Sequence, residues 1–179
     1  MKTIFGISLC FVLWMAASDS LQAENWMRFR GPSGQGISSE TELPVTWTTK
    51  NNIKWKTDLP GKGWSSPIVY KEHIFLTAST EEGVSCQVIC INRKDGSTAW
   101  ATEVHRQKPG PMRKQNSYAT PTPVTDGKYI YSVFYDGTII AVDFSGNIVW
   151  KNTEVKFFSL HGLGASPMMA NGQVIMPFD

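Results

Sequence analysis

Short apolar runs broken by polar turns recur along the chain. Between Tyr129 and Asn152 they read Tyr129–Phe134, Thr138–Asp143 and Asn147–Asn152, separated by Tyr135-Asp136-Gly137 and by Phe144-Ser145-Gly146. Runs of five or six residues bounded by Asp-Gly or Ser-Gly predict strands joined by tight hairpins. The runs are nearly continuous in apolar residues (YIYSVF, TIIAV) and do not alternate strictly. Both faces of such strands need cover. A further strand opens at Pro123, so this stretch predicts a sheet of four short antiparallel strands.

The pattern repeats. Ser66-Pro67-Ile68-Val69, Thr122-Pro123-Val124-Thr125 and Ser166-Pro167-Met168-Met169 each open a strand, and the prolines lie 56 and 44 residues apart. Proline at the first position of a strand removes no ladder bond that the sheet needs. Each opening strand meets a polar turn (Lys71-Glu72, Asp126-Gly127, Asn171-Gly172) and then an apolar strand. A second signature closes the units. Asn52–Lys56, Ser97–Ala101 and Asn147–Lys151 each carry a tryptophan, and Trp100 and Trp150 both lie four residues after a turn glycine, Gly96 and Gly146. Units of about 40–50 residues with four short strands predict the blades of a β-propeller.

Composition agrees with an all-β chain. Fifteen Gly and ten Pro supply turns, and seven Trp, nine Phe and five Tyr supply bulk for sheet faces. Seventeen basic against fifteen acidic residues leave +2. That balance argues against a nucleic-acid partner, whose binders carry a clustered basic surplus.

Residues 1–23 read as a signal peptide. Lys2 precedes the apolar run Ile4–Ala17, and a polar exit ends at Ala23. Fourteen residues rise about 21 Å as a helix, short of the roughly 30 Å hydrocarbon core, so the chain is expected to be exported and cleaved, not membrane-spanning. The expected location is periplasmic or secreted. Residues 24–50, with Pro32 and Pro44 and no paired strand pattern, are expected to form an irregular arm. Residues 51–179 then form the partial propeller: an orphan closing strand over 53–59, a blade over 64–104, a blade over 118–155 and a partial blade over 165–179. Cys86 and Cys90 are about 13 Å apart on an extended strand, too far to pair with each other, and read as small buried apolar side chains.

Ala141-x-Asp143, a turn ending at Gly146, then Trp150, resembles the PQQ-like repeat, the repeat of pyrroloquinoline-quinone enzymes and of BamB-like propellers. Cys90, Asn92, Gly96 and Trp100 match it in part. Asn25–Pro32, Gly61–Pro67 and Asn116–Pro121 resemble secreted members of the same family. The WD40 and kelch patterns do not fit: Lys56, Ala101 and Lys151 follow the tryptophans, and no paired glycines open the strands. The resemblance implies that Trp55, Trp100 and Trp150 dock between blades. It also implies ligands at the mouth of a central channel, where Trp64, Tyr118 and His161 fall.

Chemistry is sparse. The sequence has no His-Glu-x-x-His, no Gly-x-Ser-x-Gly and no P-loop, so no catalytic residue is assigned. Gly31–Gly36 reads as a flexible turn. His73, His105 and His161 lack metal-ligand spacing, so no metal site is expected. Asn92 and Asp143 read as turn residues that accept backbone amides. His105–Lys114 is a basic insertion, a solvated loop or a contact surface for an acidic partner. The expected function is an exported, non-enzymatic binding or scaffold propeller without cofactor. The alternative is a PQQ-dependent dehydrogenase with calcium, although the adjacent cysteines and ligand cluster that the family's enzymes carry are not visible. A hydrolase or lyase has no positive feature. A closed ring takes roughly four to eight blades. The chain is therefore expected to be a piece of a longer protein, with C-terminal blades needed for closure. Alone it is expected to aggregate or to melt without a sharp transition.

Overall fold

The computed structural model describes residues 24–178; the signal-peptide expectation lies outside them. Two four-stranded antiparallel sheets follow one another along the chain. In the first, β1 (Ile68–Tyr70), β2 (His73–Thr80), β3 (Ser85–Asn92) and β4 (Thr98–Arg106) pair in chain order. In the second, β5 (Val124–Thr125), β6 (Tyr129–Val133), β7 (Ile139–Asp143) and β8 (Ile148–Asn152) do the same. The third unit contributes a two-stranded sheet, β9 (Met168–Ala170) with β10 (Gln173–Ile175). These are all-β blades of an incomplete propeller. The helical content of the described residues is one 3₁₀ turn, Glu81–Gly83, between β2 and β3. No helix among them is long and apolar enough to cross a membrane.

Strand periodicity decides which side chains meet. One face of the first blade sends Ile68, Phe75, Cys86, Val88, Cys90 and Val104 against Ile130, Phe134, Ile140 and Val142 of the second, forming one buried core. Its opposite face places Leu76, Ala78, Ile89 and Ile91 beneath Trp55. The far face of the second blade packs Val124, Tyr131 and Ala141 against Met169 and Val174 of the third unit. Both faces of a blade are thus apolar because each is covered by a neighbour.

Residues 24–50 hold no strand, only isolated bridges of Trp26 with Val69 and of Thr48 with Asn51. Residues 53–59 run without a ladder partner along the outer face of the first blade, and Lys62 makes a single bridge to Ser79. The first blade is the larger: β2 and β3 have eight residues and β4 nine, against five in each of β6, β7 and β8.

Cys86 and Cys90 are free and buried. Burial pushes the Cys90 thiol up to about 12 and raises Cys86 further, with Asp136 and Glu103 adding to the effect. Neutral, enclosed thiols are poor nucleophiles. In protein lacking residues 1–23, Ellman's reagent is expected to leave both unmodified under native conditions and to titrate both in guanidinium chloride. Fast modification of either in the folded chain would contradict this burial.

Candidate functional site

The inner strands β1, β5 and β9 run in the same sense, so their starts define one end of the molecule. The Lys62–Ser66 approach to β1, the 3₁₀ turn, the insertion between β4 and β5, the β6–β7 turn and residues 153–166 all gather there. Hydrogen bonds between backbone and short hydroxyls lock them together. Trp64 N–H donates to Ala119 O (3.1 Å) and to Ser117 Oγ (3.1 Å). Ser66 N–H donates to Thr122 Oγ1 (2.9 Å), and Thr122 N–H donates to Ser166 Oγ (3.0 Å). Ser66 and Thr122, each before a strand-opening proline, therefore lend their amides to the hydroxyl of the same position one blade on.

Trp64, Tyr118 and His161 all lie at this end, but their side chains face different surroundings. Trp64 is 61 % exposed. The Tyr118 ring is half-buried and packs against Gly83 and edge-on to Tyr135 (5.2 Å between centroids), and its hydroxyl donates to Gly110 O (2.7 Å). It braces the insertion. His161 is exposed; its Nδ1 accepts from Arg113 Nε (3.2 Å) and its carbonyl accepts from Asn116 Nδ2 (2.8 Å). The insertion is thereby tied to residues 159–162, and Tyr135 Oη adds bonds to Pro111 O and Ser159 O. Phe158 and Leu160 beside them are 70 % and 62 % exposed. Arg106 is held by Glu81 and Glu103, whereas Lys62, Lys108, Lys114 and Lys156 are exposed on the same end.

His105 lies at the seam between the blades. Its Nε2 is 2.8 Å from Asp136 Oδ2 in the β6–β7 turn and 3.3 Å from Thr138 Oγ1. Asp136 Oδ1 accepts from Thr138 N–H, and the Asp136 amide donates to Gln107 Oε1. Burial alone would raise the Asp136 carboxyl, but the bonds from His105 and Thr138 outweigh it and hold the group below the usual carboxylate range. A depressed folded value contributes stability that is present above the unfolded value, near 3.9, and is lost as pH falls through the folded value. Stability is expected to fall as the pH drops below about 4. Asp136→Asn is expected to flatten that fall. An unchanged pH profile in the variant would show that the carboxylate is not coupled to folding.

The opposite end carries the turns. Asp143 Oδ1 accepts from Ser145 N–H and Asn147 N–H, and its carboxyl is lowered chiefly by the Asn147 side chain. Asn92 Oδ1 accepts from Lys94 N–H. Tryptophans from the preceding segment lie over these turns. Trp55 donates from Nε1 to Arg93 O (3.0 Å), with its ring on Gly96; Trp100 of β4 donates to Phe144 O (2.9 Å), with its ring on Gly146. A Cβ at Gly96 would fall 2.5 Å from the Trp55 ring, and φ is +76° at Gly96 and +86° at Gly146. Only glycine meets both demands without strain. Trp150 occupies the corresponding place on β8. It is 40 % exposed and lines an open groove of about 520 Å³ with Tyr131, Ile139, Asn152 and Val174.

Four-stranded antiparallel blades that pack face to face and pass a tryptophan to the next turn define a β-propeller of PQQ-like repeats. The family model described as outer membrane protein assembly factor BamB matches residues 37–153 and again 85–177, and the chain belongs to that family. No curated protein matches it by sequence. Among solved structures it is similar to BamB from Moraxella catarrhalis, with TM-score 0.53 and 14 % identity, over 69 % of this chain and 36 % of that one. It is also similar to the quinohemoprotein alcohol dehydrogenase ADHIIG from Pseudomonas putida HK5, with TM-score 0.59 and 19 % identity, over 85 % of this chain and 22 % of that one. These likenesses establish the fold. The chain spans about a third of the first and about a fifth of the second.

Sequence reasoning missed two arrangements. The Ser66, Thr122 and Ser166 hydroxyl chain was signalled by the residue type before each repeated proline. The bracing pair Tyr118–Tyr135 had no such signal, because it depends on the path of a non-repeated insertion.

Proposed function

We propose that this propeller is an exported, non-enzymatic binding or scaffold module that engages a protein partner through the end where its inner strands begin. The observation that carries this reading is that Trp64, Phe158 and Leu160 are all exposed at the same end as Lys62, Lys108, Arg113, Lys114 and Lys156. Apolar anchors among cations fit a partner that offers apolar contact and carboxylates. Membership of the BamB family supports a scaffold role and an envelope location. The competing reading is a quinoprotein dehydrogenase domain. Among the described residues no three His, Cys, Asp or Glu side chains converge as a metal site. Two measurements test the proposal. A photo-reactive benzoylphenylalanine in place of Trp64 or Phe158, in the exporting cell, is expected to give a discrete protein adduct; adducts only from the Trp150 groove would overturn the choice of surface. Titration of the purified protein with PQQ and calcium is expected to leave the quinone spectrum unchanged. Stoichiometric binding would favour the dehydrogenase reading.

A further inference from the structure

In a propeller the inner strand of each blade has one edge paired with its own sheet and the other turned to the axis, where amides and carbonyls lack partners. Here three axial amides are taken by three consecutive residues of the N-terminal arm. Trp26 forms a two-way antiparallel bridge with Val69 of β1, with Trp26 N–H donating to Val69 O at 2.8 Å and Val69 N–H to Trp26 O at 2.9 Å. The next axial amide along, Lys71 N–H, donates to Asn25 Oδ1 at 2.7 Å. On the neighbouring blade, Thr125 N–H of β5 donates to Met27 O at 3.0 Å. Residues 25–27 therefore cross from the inner edge of one blade to the inner edge of the next, on the axial side of both. Val69, Lys71 and Thr125 stand where the inner strands finish, at the opposite end from Trp64 and His161.

The segment that follows is folded back on itself. Gly31 N–H donates to Arg28 O, Gly34 N–H to Gly31 O and Gly36 N–H to Arg30 O, while the Arg28 guanidinium donates to the carbonyls of Gly31 and Pro32. The Trp26 ring rests on Gly31, where a Cβ would lie 2.5 Å from ring carbon. A compact turn is thus packed, through the Trp26 ring on Gly31, against the residues that cross the axial edges. Arg28 is spent on holding this turn, while Arg30 is exposed over the Phe29 ring.

We infer that Asn25–Gly36 is an axial plug: it lies across the axial edges of β1 and β5 at the turn end, so that a ring closed around these blades is blind there and is entered from the end bearing Trp64, Phe158 and Arg113. This rests on the proposed binding end for its functional meaning, but its geometry is independent of any partner. A blind channel suits a surface that grips a partner from one side and does not suit a conduit through the ring.

Amide hydrogen exchange on the full chain tests the plug. The amides of Val69, Lys71 and Thr125 are expected to be protected roughly a hundredfold or more over unstructured peptide rates, although they lie on edges. Gly31→Ala drives a methyl into the Trp26 ring at a positive φ. It is expected to accelerate exchange at all three by roughly tenfold while the amides of β3 and β7 keep their protection. Asn25→Ala removes a single acceptor and is expected to accelerate Lys71 alone. If Gly31→Ala also exposes β3 and β7, the Asn25 variant decides: selective loss at Lys71 supports the plug, and no change there overturns it. Unprotected Val69 and Thr125 in the native chain would overturn it directly. Crosslinking from position 64 reads the binding end separately, so either idea can fail without the other.

Discussion

Trp100→Ala is expected to weaken the junction between the two complete blades by about 3–4 kcal/mol, whereas Trp150→Ala, at the same position of the repeat, costs about 1 kcal/mol. The two residues differ in what they touch. Trp100 is partly buried, bonds Phe144 O, lies on Gly146 and tilts against Phe75 with centroids 6.0 Å apart. Removing it deletes a large ring from a packed seam and leaves a carbonyl short of a donor. Trp150 keeps 40 % of its surface exposed and meets Tyr131 at 6.0 Å. Native-state hydrogen exchange at the β7 and β8 amides reads the difference. Equal losses for the two variants would mean that position in the repeat, not the neighbouring turn, sets the value of the tryptophan.

Phe75→Ala should be costlier still, by about 3–5 kcal/mol. Phe75 is fully buried in the inter-blade core and meets Phe144 edge-on with ring centroids 5.2 Å apart. The cavity left behind is walled by Trp100 and Phe144, both anchored by the hydrogen bond between them, so it collapses poorly. Phe75→Leu should recover more than half of the loss. Because Phe75 and Trp100 touch, the double alanine variant is expected to lose less than the sum of the single losses. Native-state hydrogen exchange at the β2 and β3 amides measures all three. Strict additivity would show that the two rings do not share one packing unit.

The fold was legible because its marks are backbone marks. A proline that opens a strand, a glycine that lets a tryptophan lie flat and an Asp-Gly turn each work in only a few conformations, so their recurrence at 56 and 44 residues betrayed the blades. The strand limits were read to within one residue at β6, β7 and β8, where turns are tight. The site was less legible. Tyr118 stood out as an aromatic in a mouth loop, but its orientation follows from Gly83 and Tyr135, which no periodicity relates to it. His161 and Arg113 meet only because the insertion bends back over residues 159–162. The arm was read as irregular from its composition. Its contacts with β1 and β5 are made largely by the main chain of Trp26 and Met27, and side-chain pattern carries no record of main-chain pairing.

The hydroxyl chain through Ser66, Thr122 and Ser166 has a consequence for how such a molecule grows over evolutionary time. Thr122 of the second blade is the acceptor for the unit before it and the donor for the unit after it, at one and the same residue. Duplicating a stretch from one Ser/Thr-Pro to the next therefore inserts a blade that is already compatible with both neighbours, and deleting one leaves a junction of the same kind. Blade number can drift by whole units without a compensating change elsewhere. A lineage is free to vary in ring size while the local rule that joins blade to blade stays fixed.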